Sequence, residues 1–436
     1  LASQRKIVTT MIKSDPYWWD AAPRPVLPES PIPAQVDAAV IGSGITGLNA
    51  ARELARAGRS VLVVEARVPG YGASSRNAGY VGRTLKHGLL ALERKLGLAR
   101  AIAIYRELRA AYQAVTEVIR TEKIECAFEI CGRYIAANSQ RQYDELAREL
   151  EARRRHLGDE FEMVPCASQH KELASDLYHG GALIPELGSL HPGLYHLGLL
   201  DAALRAGTQI AVNTRADAIR RAGERQFEIV TSRGTLSARD VIVATNGYSG
   251  PAFGWAQRRV IPFDAYMIAT EPLRPERLAR IMPGNRTFLD TNHNLNYIRR
   301  SPDGTRLLFG GRTGSRFGTV EAAERLKREL IRIFPDLAGI ELSHSWTGRC
   351  AATVDFFPHI GVHGGVYYAM GYCFAGVPMG THFGRTLARR ILGARDGATP
   401  FDGRPFPALP LYRGNPWFVP HVMRYIDLVD RWSARS

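Results

Sequence analysis

The sequence predicts an α/β protein in which a parallel sheet covered by helices is interleaved with an α+β domain built on a mostly antiparallel sheet. Three observations carry this expectation. From Asp37 to Glu65 an apolar run, a three-glycine turn, a helical stretch and a second apolar run follow one another. Helical periodicity dominates residues 89–155, and short strand-like pieces alternate with isolated helices from there to residue 392. At 436 residues the chain is long for one hydrophobic core, so two domains are expected.

Taken in order, residues 1–34 form a Pro-rich arm. Its Tyr17, Trp18 and Trp19 are too apolar for a free tail, so the arm should dock on the body. Ala38–Ile41 reads as a buried parallel strand, and Gly42, Gly44 and Gly47, spaced G-x-G-x-x-G, turn it into a helix from Ile45 to Ala57. Leu48, Ala51, Leu54 and Ala55 share one face of that helix, and Gly58 stops it. Val61–Val64 is the next strand, with Glu65 at its end. Each part has a physical use. Gly42 permits the tight turn, Gly44 removes a Cβ where a pyrophosphate must approach, and Gly47 lets helix and strand pack closely. A carboxylate placed as Glu65 is can bind the ribose of an adenosine. This βαβ unit predicts a dinucleotide site for FAD or NAD.

A Gly- and Ser-rich loop, residues 70–80, follows. Leu92, Leu96, Leu98, Ile102, Tyr105 and Leu108 lead into the helical region, which an inserted strand breaks at Gly132–Ala136. Strands return near 209–213 and 226–231, and Asp240–Thr245 runs into Asn246-Gly247. Between 255 and 346 the pieces Tyr266–Thr270, Tyr297–Arg299 and Arg306–Phe309 accompany one helix, Val320–Phe334. A strand at Val366–Ala369 and a helix from about Val377 to Leu392 precede an irregular, Pro-rich stretch, 399–420. The expected division is a nucleotide domain of 35–98, 190–250 and 347–398, a substrate domain of 99–189 and 251–346, and a C-terminal extension, 399–436.

Composition narrows the function. Hydrophobic residues make up 45% and charged residues 23%, as in ordinary globular proteins, and no apolar run reaches the ~20 residues that span a bilayer. The first twenty residues lack the apolar centre of a secretory signal. Five cysteines without C-x-x-C spacing suit reduced thiols in a cytoplasmic protein, and no H-E-x-x-H pair suggests a metal. The net charge of +15 is spread through pairs such as Arg220-Arg221, Arg258-Arg259 and Arg299-Arg300 rather than gathered in an aromatic-lined stripe. That argues against nucleic acid and for solvated faces that attract anionic small molecules.

Four further segments point to a flavin: Gly72-Ala73-Ser74-Ser75-Arg76-Asn77-Ala78-Gly79; Val243–Tyr248; Trp346-Thr347-Gly348 with Asp355–Gly361; and Ala369–Gly380. With these the chain resembles the D-amino-acid oxidase and sarcosine oxidase family of FAD-dependent amine oxidoreductases, from about Asp37 to Gly393. The resemblance implies a Rossmann-type FAD-binding domain and places the cofactor against Gly42, Gly44, Ile45, Thr46 and Gly47, against Glu65, Ala66 and Arg67, and along Gly72–Gly79. It adds Ala216, Thr245, Asn246, Gly247, Trp346, Gly348 and Asp355, then Gly371, Tyr372, Phe374, Ala375, Gly376, Val377, Pro378 and Met379. This last turn would feed a helix whose positive end faces the flavin pyrimidine, where reduction leaves negative charge. Phe374 and Ala375 stand where relatives carry a histidine, and Pro378 where sarcosine oxidases carry a lysine that helps activate oxygen. No catalytic residue is therefore assigned, and the acceptor is O2 or another oxidant.

By the same resemblance the substrate is a secondary amine or N-substituted amino acid of the sarcosine, iminodiacetate or γ-glutamylputrescine kind. Its C–N bond would be oxidised by hydride transfer to flavin N5, with hydrolysis of the imine. Alternatives are a D-amino-acid-type dehydrogenase serving quinone, or a flavin-holding subunit without activity. Arg83, Tyr266 and Tyr297 are the candidate substrate contacts, and His191–Tyr195 resembles a segment between the domains. Cys350, near the position of a flavin tether in some sarcosine oxidases, is read as a small buried thiol, with FAD held noncovalently.

Overall fold

Two eight-stranded sheets organise the computed structural model, which describes residues 12–433 apart from 312, 315 and 316. The first eleven residues of the expected arm lie outside them.

The first sheet runs, edge to edge, His359–His363, Val366–Met370, Gly234–Val243, Gln35–Ile41, Val61–Val64 and Gln209–Ala211. The strand Gln226–Thr231 adds to Gly234–Val243 and carries Ala216–Gly223 beyond it. Gln35–Ile41 is parallel to both of its neighbours, and Val61–Val64 is buried along its whole length. Continuous apolar runs are what a parallel strand covered on both faces requires. The helices Ile45–Arg56 and Gly376–Ile391 pack against each other, and Leu98–Glu122 packs on the second of them. Their close approach needs Gly384, where a Cβ would stand 2.4 Å from the carbonyl oxygen of Thr46.

The second sheet runs Leu342–Ala352, Ile261–Thr270, Leu307–Gly311, Tyr297–Arg300, Thr287–Asp290, Arg133–Ala136, Gly181–Ile184 and Glu162–Val164. It is antiparallel except between Thr287–Asp290 and Arg133–Ala136. The helix Thr319–Ile333 turns Ala322, Ala323, Leu326, Leu330 and Ile333 onto it. The boundary expected at 347 falls inside Leu342–Ala352, which pairs with Ile261–Thr270 along its length. Trp346 and Gly348 thus meet Arg76, in the loop that follows Val61–Val64, from an edge strand of the second sheet.

The described part of the arm docks between the sheets. Trp18 is fully buried, edge-to-face with His191 at 4.9 Å, and Trp19 Nε1 donates to Ser75 Oγ over 2.9 Å.

Candidate active site

The three glycines do distinct work at the end of the first strand. Gly42 has φ +101°, in the left-handed region, and a Cβ on Gly47 would lie 1.9 Å from the Gly42 carbonyl oxygen. A Cβ on Gly44 would meet Ser74 Oγ at 2.8 Å, and that hydroxyl accepts from the N–H of Ile45 at the helix start. Glu65 is held in place: Oε2 accepts from Ser43 N–H (3.0 Å) and Oγ (2.6 Å), and Oε1 from Arg67 N–H (3.0 Å). Beneath the turn, fully buried His196 donates from Nε2 to the Ser43 carbonyl at 2.8 Å, while burial pushes its pKa down to about 4.

These residues open on one elongated cavity of about 590 Å³. Of the expected cofactor contacts, Gly42, Gly44, Ile45, Thr46, Glu65, Ala66, Arg67, Gly72, Ala73, Ser74, Arg76, Asn77, Ala78, Ala216, Thr245, Asn246 and Gly348 line it. Tyr372, Phe374, Ala375, Gly376, Val377 and Pro378 complete its far wall. Two helix N-termini therefore face the same space, at Ile45 and at Gly376, and neither has a side-chain hydrogen bond from its own N-cap residue. Ser74 Oγ takes the Ile45 N–H, and the remaining N–H groups at such ends suit phosphate and a reduced flavin ring.

Other expected contacts stand behind the wall and hold it. Gly47 sets the helix against the strand. Ser75, fully buried, donates to the Gly70 carbonyl at 2.6 Å. A Cβ on Gly79 would meet the Leu190 carbonyl at 2.1 Å, and one on Gly247 the Cys350 carbonyl at 2.4 Å. Trp346 donates from Nε1 to the Arg76 carbonyl at 2.9 Å. Asp355 takes His359 Nε2 at 3.0 Å, Gly371 N–H goes to Asn246 Oδ1 at 2.9 Å, and Met379 is core. These residues act on the cavity through the backbone they fix.

The second sheet supplies Arg133, Ala265, Met267, Leu289 and Tyr297 at the other end, joined by Leu295 from a loop and by Tyr80, Gly82 and Thr84 from the short strand Tyr80–Val81 and the loop after it. Tyr297 lies flat on its sheet because Gly310 beneath it has no side chain; a Cβ there would be 2.0 Å from the ring. Tyr80 stands edge-on to it at 6.3 Å.

Two of the candidate substrate contacts are corrected. Arg83 is 5% exposed and turns away from the cavity into an ion pair with Asp159 at 3.0 Å, with Glu186 also in contact. Arg109 and Arg153 share Asp159, at 2.7 and 2.6 Å. A buried guanidinium is held by whichever carboxylate it meets, and these acids come from segments far along the chain. Tyr266 is excluded by strand alternation: Ala265 and Met267 face the cavity, so Tyr266 faces the opposite way, where its hydroxyl accepts from Phe317 N–H at 3.0 Å. His191 caps the helix Pro192–Arg205, its Nδ1 accepting from Leu194 N–H at 3.1 Å.

Arg133 is the functional candidate that sequence reasoning missed. It is 2% exposed and lines the cavity. Nε reaches Thr287 Oγ1 at 3.2 Å, Nη1 reaches Thr84 Oγ1 at 3.3 Å, and Nη2 has no partner. No described carboxylate pairs with it. Its signal was a lone arginine inside the apolar strand Arg133–Ala136. Two thiols, Cys350 and Cys373, also line the wall, and burial pushes them up to about 12 and about 11.

The family sequence model described as FAD dependent oxidoreductase (DAO) matches residues 37–390. The chain belongs to this family of FAD-dependent oxidoreductases, whose members oxidise amines and amino acids at the CH–NH group, and FAD is its cofactor. It is 31% identical over 388 residues to gamma-glutamylputrescine oxidoreductase of Escherichia coli, covering 86% of this chain and 87% of that one. It is 29% identical over 379 residues to the probable oxidoreductase OrdL of Haemophilus influenzae, covering 86% of each. Glycine oxidase from Geobacillus kaustophilus has the same fold, with a TM-score of 0.70 at 22% identity over 87% of this chain and 99% of that one. The cavity fits the cofactor: its glycine-lined end, Glu65 and the two helix N-termini line the same space.

Proposed function

We propose that this enzyme oxidises the CH–NH bond of a secondary amine or N-substituted amino acid that carries a carboxylate. The observation behind this is Arg133, a buried guanidinium in the cavity with one nitrogen unpartnered. A carboxylate is the ligand a planar cationic fork takes best, because two parallel charge-assisted hydrogen bonds also fix its orientation. FAD, when bound, supplies the two-electron acceptor. The chain does the rest by position. Tyr80, Tyr297, Met267, Leu289 and Leu295 make dry walls that hold the amine carbon in one orientation. The N–H groups of Gly376 and Val377 present a positive helix end where negative charge develops.

No histidine lines the cavity among the described residues, and its acids are Glu65 and Asp217, both on elements of the first sheet. A protein base is not needed if the amine enters neutral, its own lone pair assisting loss of hydride. Activity should then rise with pH as the substrate amine deprotonates. A dehydrogenase serving an acceptor other than O2 is a second reading, favoured by Phe374, Ala375 and Pro378 at the flavin end.

The test is anaerobic loss of flavin absorbance with N-methylglycine, iminodiacetate and N-acyl-diamine acids, each against its decarboxylated analogue. Preference for the carboxylated member supports the proposal, and equal bleaching by both sinks it. Turnover with O2 alone, compared with an artificial dye, separates oxidase from dehydrogenase.

A further inference from the structure

The C-terminal helix Val419–Ser433 leaves an apolar stripe uncovered. Its acids face the body: Asp430 accepts from the backbone N–H groups of His293 (2.9 Å) and Asn294 (3.0 Å), and Asp427 from Asn294 Nδ2 (2.9 Å). Met423 and Ile426 are half-buried on that side as well, while Val422, Tyr425, Leu428 and Trp432 turn outward, exposed by 47, 68, 63 and 78%. At about 100° per residue these four fall within an arc of about 120°, opposite the acids. Beside this stripe Arg431 closes a pocket with Arg325, Arg328, Arg332 and Glu329. Glu321 and Glu329 engage Arg325 and Arg332, so the pocket keeps a cationic excess.

We propose that this face docks on an anionic bilayer, the stripe entering the headgroup boundary and the arginine pocket taking lipid phosphates. An exposed stripe of Trp, Tyr, Leu and Val flanked by arginine is what an interfacial helix presents to lipid headgroups. Charge selects the occupant. A chain of net charge +15 with arginines at the patch is drawn to an anionic surface and repelled by a second copy of itself. No described helix is long and apolar enough to cross a membrane. The docked helix is bonded to His293 and Asn294, and the adjacent Leu295 lines the active cavity, so the surface lies close to the substrate end.

The test is co-sedimentation of the purified flavoprotein with phosphatidylcholine vesicles, with and without phosphatidylglycerol. Binding should need phosphatidylglycerol and fall with salt. Arg328→Gln with Arg431→Gln should weaken partitioning about thirtyfold, and Leu428→Ser with Trp432→Ser at least about tenfold. Turnover with a soluble dye should not change. Equal pelleting of wild type and both variants would overturn the proposal. So would a wild type that ignores vesicles and sediments as a dimer, made monomeric by Leu428→Ser with Trp432→Ser, which would assign the face to a second copy.

Discussion

Replacing Arg133 by methionine tests the carboxylate reading directly. The guanidinium is 2% exposed, and its two bonds, at 3.2 and 3.3 Å, go to neutral threonine hydroxyls. Nη2 has nothing to bond. On the carboxylate reading a substrate carboxylate pairs with this guanidinium in a dry site, and losing that pair should cost roughly 2–4 kcal/mol, a thirty- to several-hundred-fold fall in kcat/KM. Methionine keeps the apolar stem and removes the charge together with the N–H donors that reach Thr84 and Thr287. Without substrate the wild type pays to bury a cation that meets no described carboxylate, so Arg133→Met should melt at the same temperature or higher. Lysine at the position should recover part of the activity, since a point charge replaces a planar fork. The assay is kcat/KM by dye reduction for a carboxylated amine and its decarboxylated analogue, in both proteins, with flavin content and thermal melting alongside. Only the carboxylated substrate should lose. An equal loss on both substrates, or a lower melting temperature with their ratio unchanged, would refute the reasoning and make Arg133 structural.

Arg83→Met should behave oppositely: Asp159 keeps Arg109 and Arg153, so stability in urea should fall by roughly 1–3 kcal/mol while kcat/KM per bound flavin stays within a few-fold on carboxylated amines. Acid precipitation should release all FAD to the supernatant, and Cys350→Ser should change nothing, because burial that pushes the thiol up to about 12 keeps it protonated and unreactive; yellow colour in the wild-type pellet alone would show a tether. Gly47→Ala should give apoprotein or insoluble chain, since its Cβ would sit 1.9 Å from a backbone oxygen; a flavin-loaded variant would disprove the packing argument. Burial raises the Asp355 carboxyl, but the hydrogen bond and charge of His359 outweigh it and bring it down to about 2, against an ordinary 3.8. Its stabilisation is thus present above the ordinary value and lost as pH falls toward 2; Asp355→Asn should cost roughly 1–2 kcal/mol at neutral pH and flatten that limb in denaturation curves.

Elements whose apolar pattern is local were readable from the sequence. The unit from Gln35 to Val64 was, because its strands are buried on both faces and its glycines sit where a Cβ would strike backbone. Leu342–Ala352 was not. Its sequence, LSHSWTGRCAA, has no clear alternation, and its identity as a strand comes from ten paired residues along Ile261–Thr270, with Ser343 bulged out. Side-chain direction was harder still. On Ile261–Thr270 a tyrosine flanked by Ala265 and Met267 looks like the substrate contact, yet a period of two turns the smaller neighbours inward. Arg83 and Arg133 are alike in sequence, each an arginine after a glycine. What separates them is whether an acid from elsewhere arrives, and residues 159 and 186 lie too far along the chain for spacing to say so.

The turn before the helix Gly376–Ile391 bears on whether the departures at Phe374 and Ala375 imply a dead site. Gly371, Cys373 and Phe374 have φ of 74°, 46° and 78°, three left-handed residues in four. For the two that are not glycine this costs roughly 1–2 kcal/mol each, and such strain persists only where the surroundings impose it. Here they do: Gly371 N–H is bound by Asn246 Oδ1, Cys373 N–H by the Ala351 carbonyl, and Cys373 Sγ by the Gly371 carbonyl at 3.2 Å. The chain holds a costly backbone path that aims the N–H groups of Gly376 and Val377 into the cavity. A subunit that merely stored its cofactor would have no need to keep that path under strain. On the proposed reading the turn acts through its main chain, so a histidine side chain can be absent from it without loss of the helix end that would support a reduced ring.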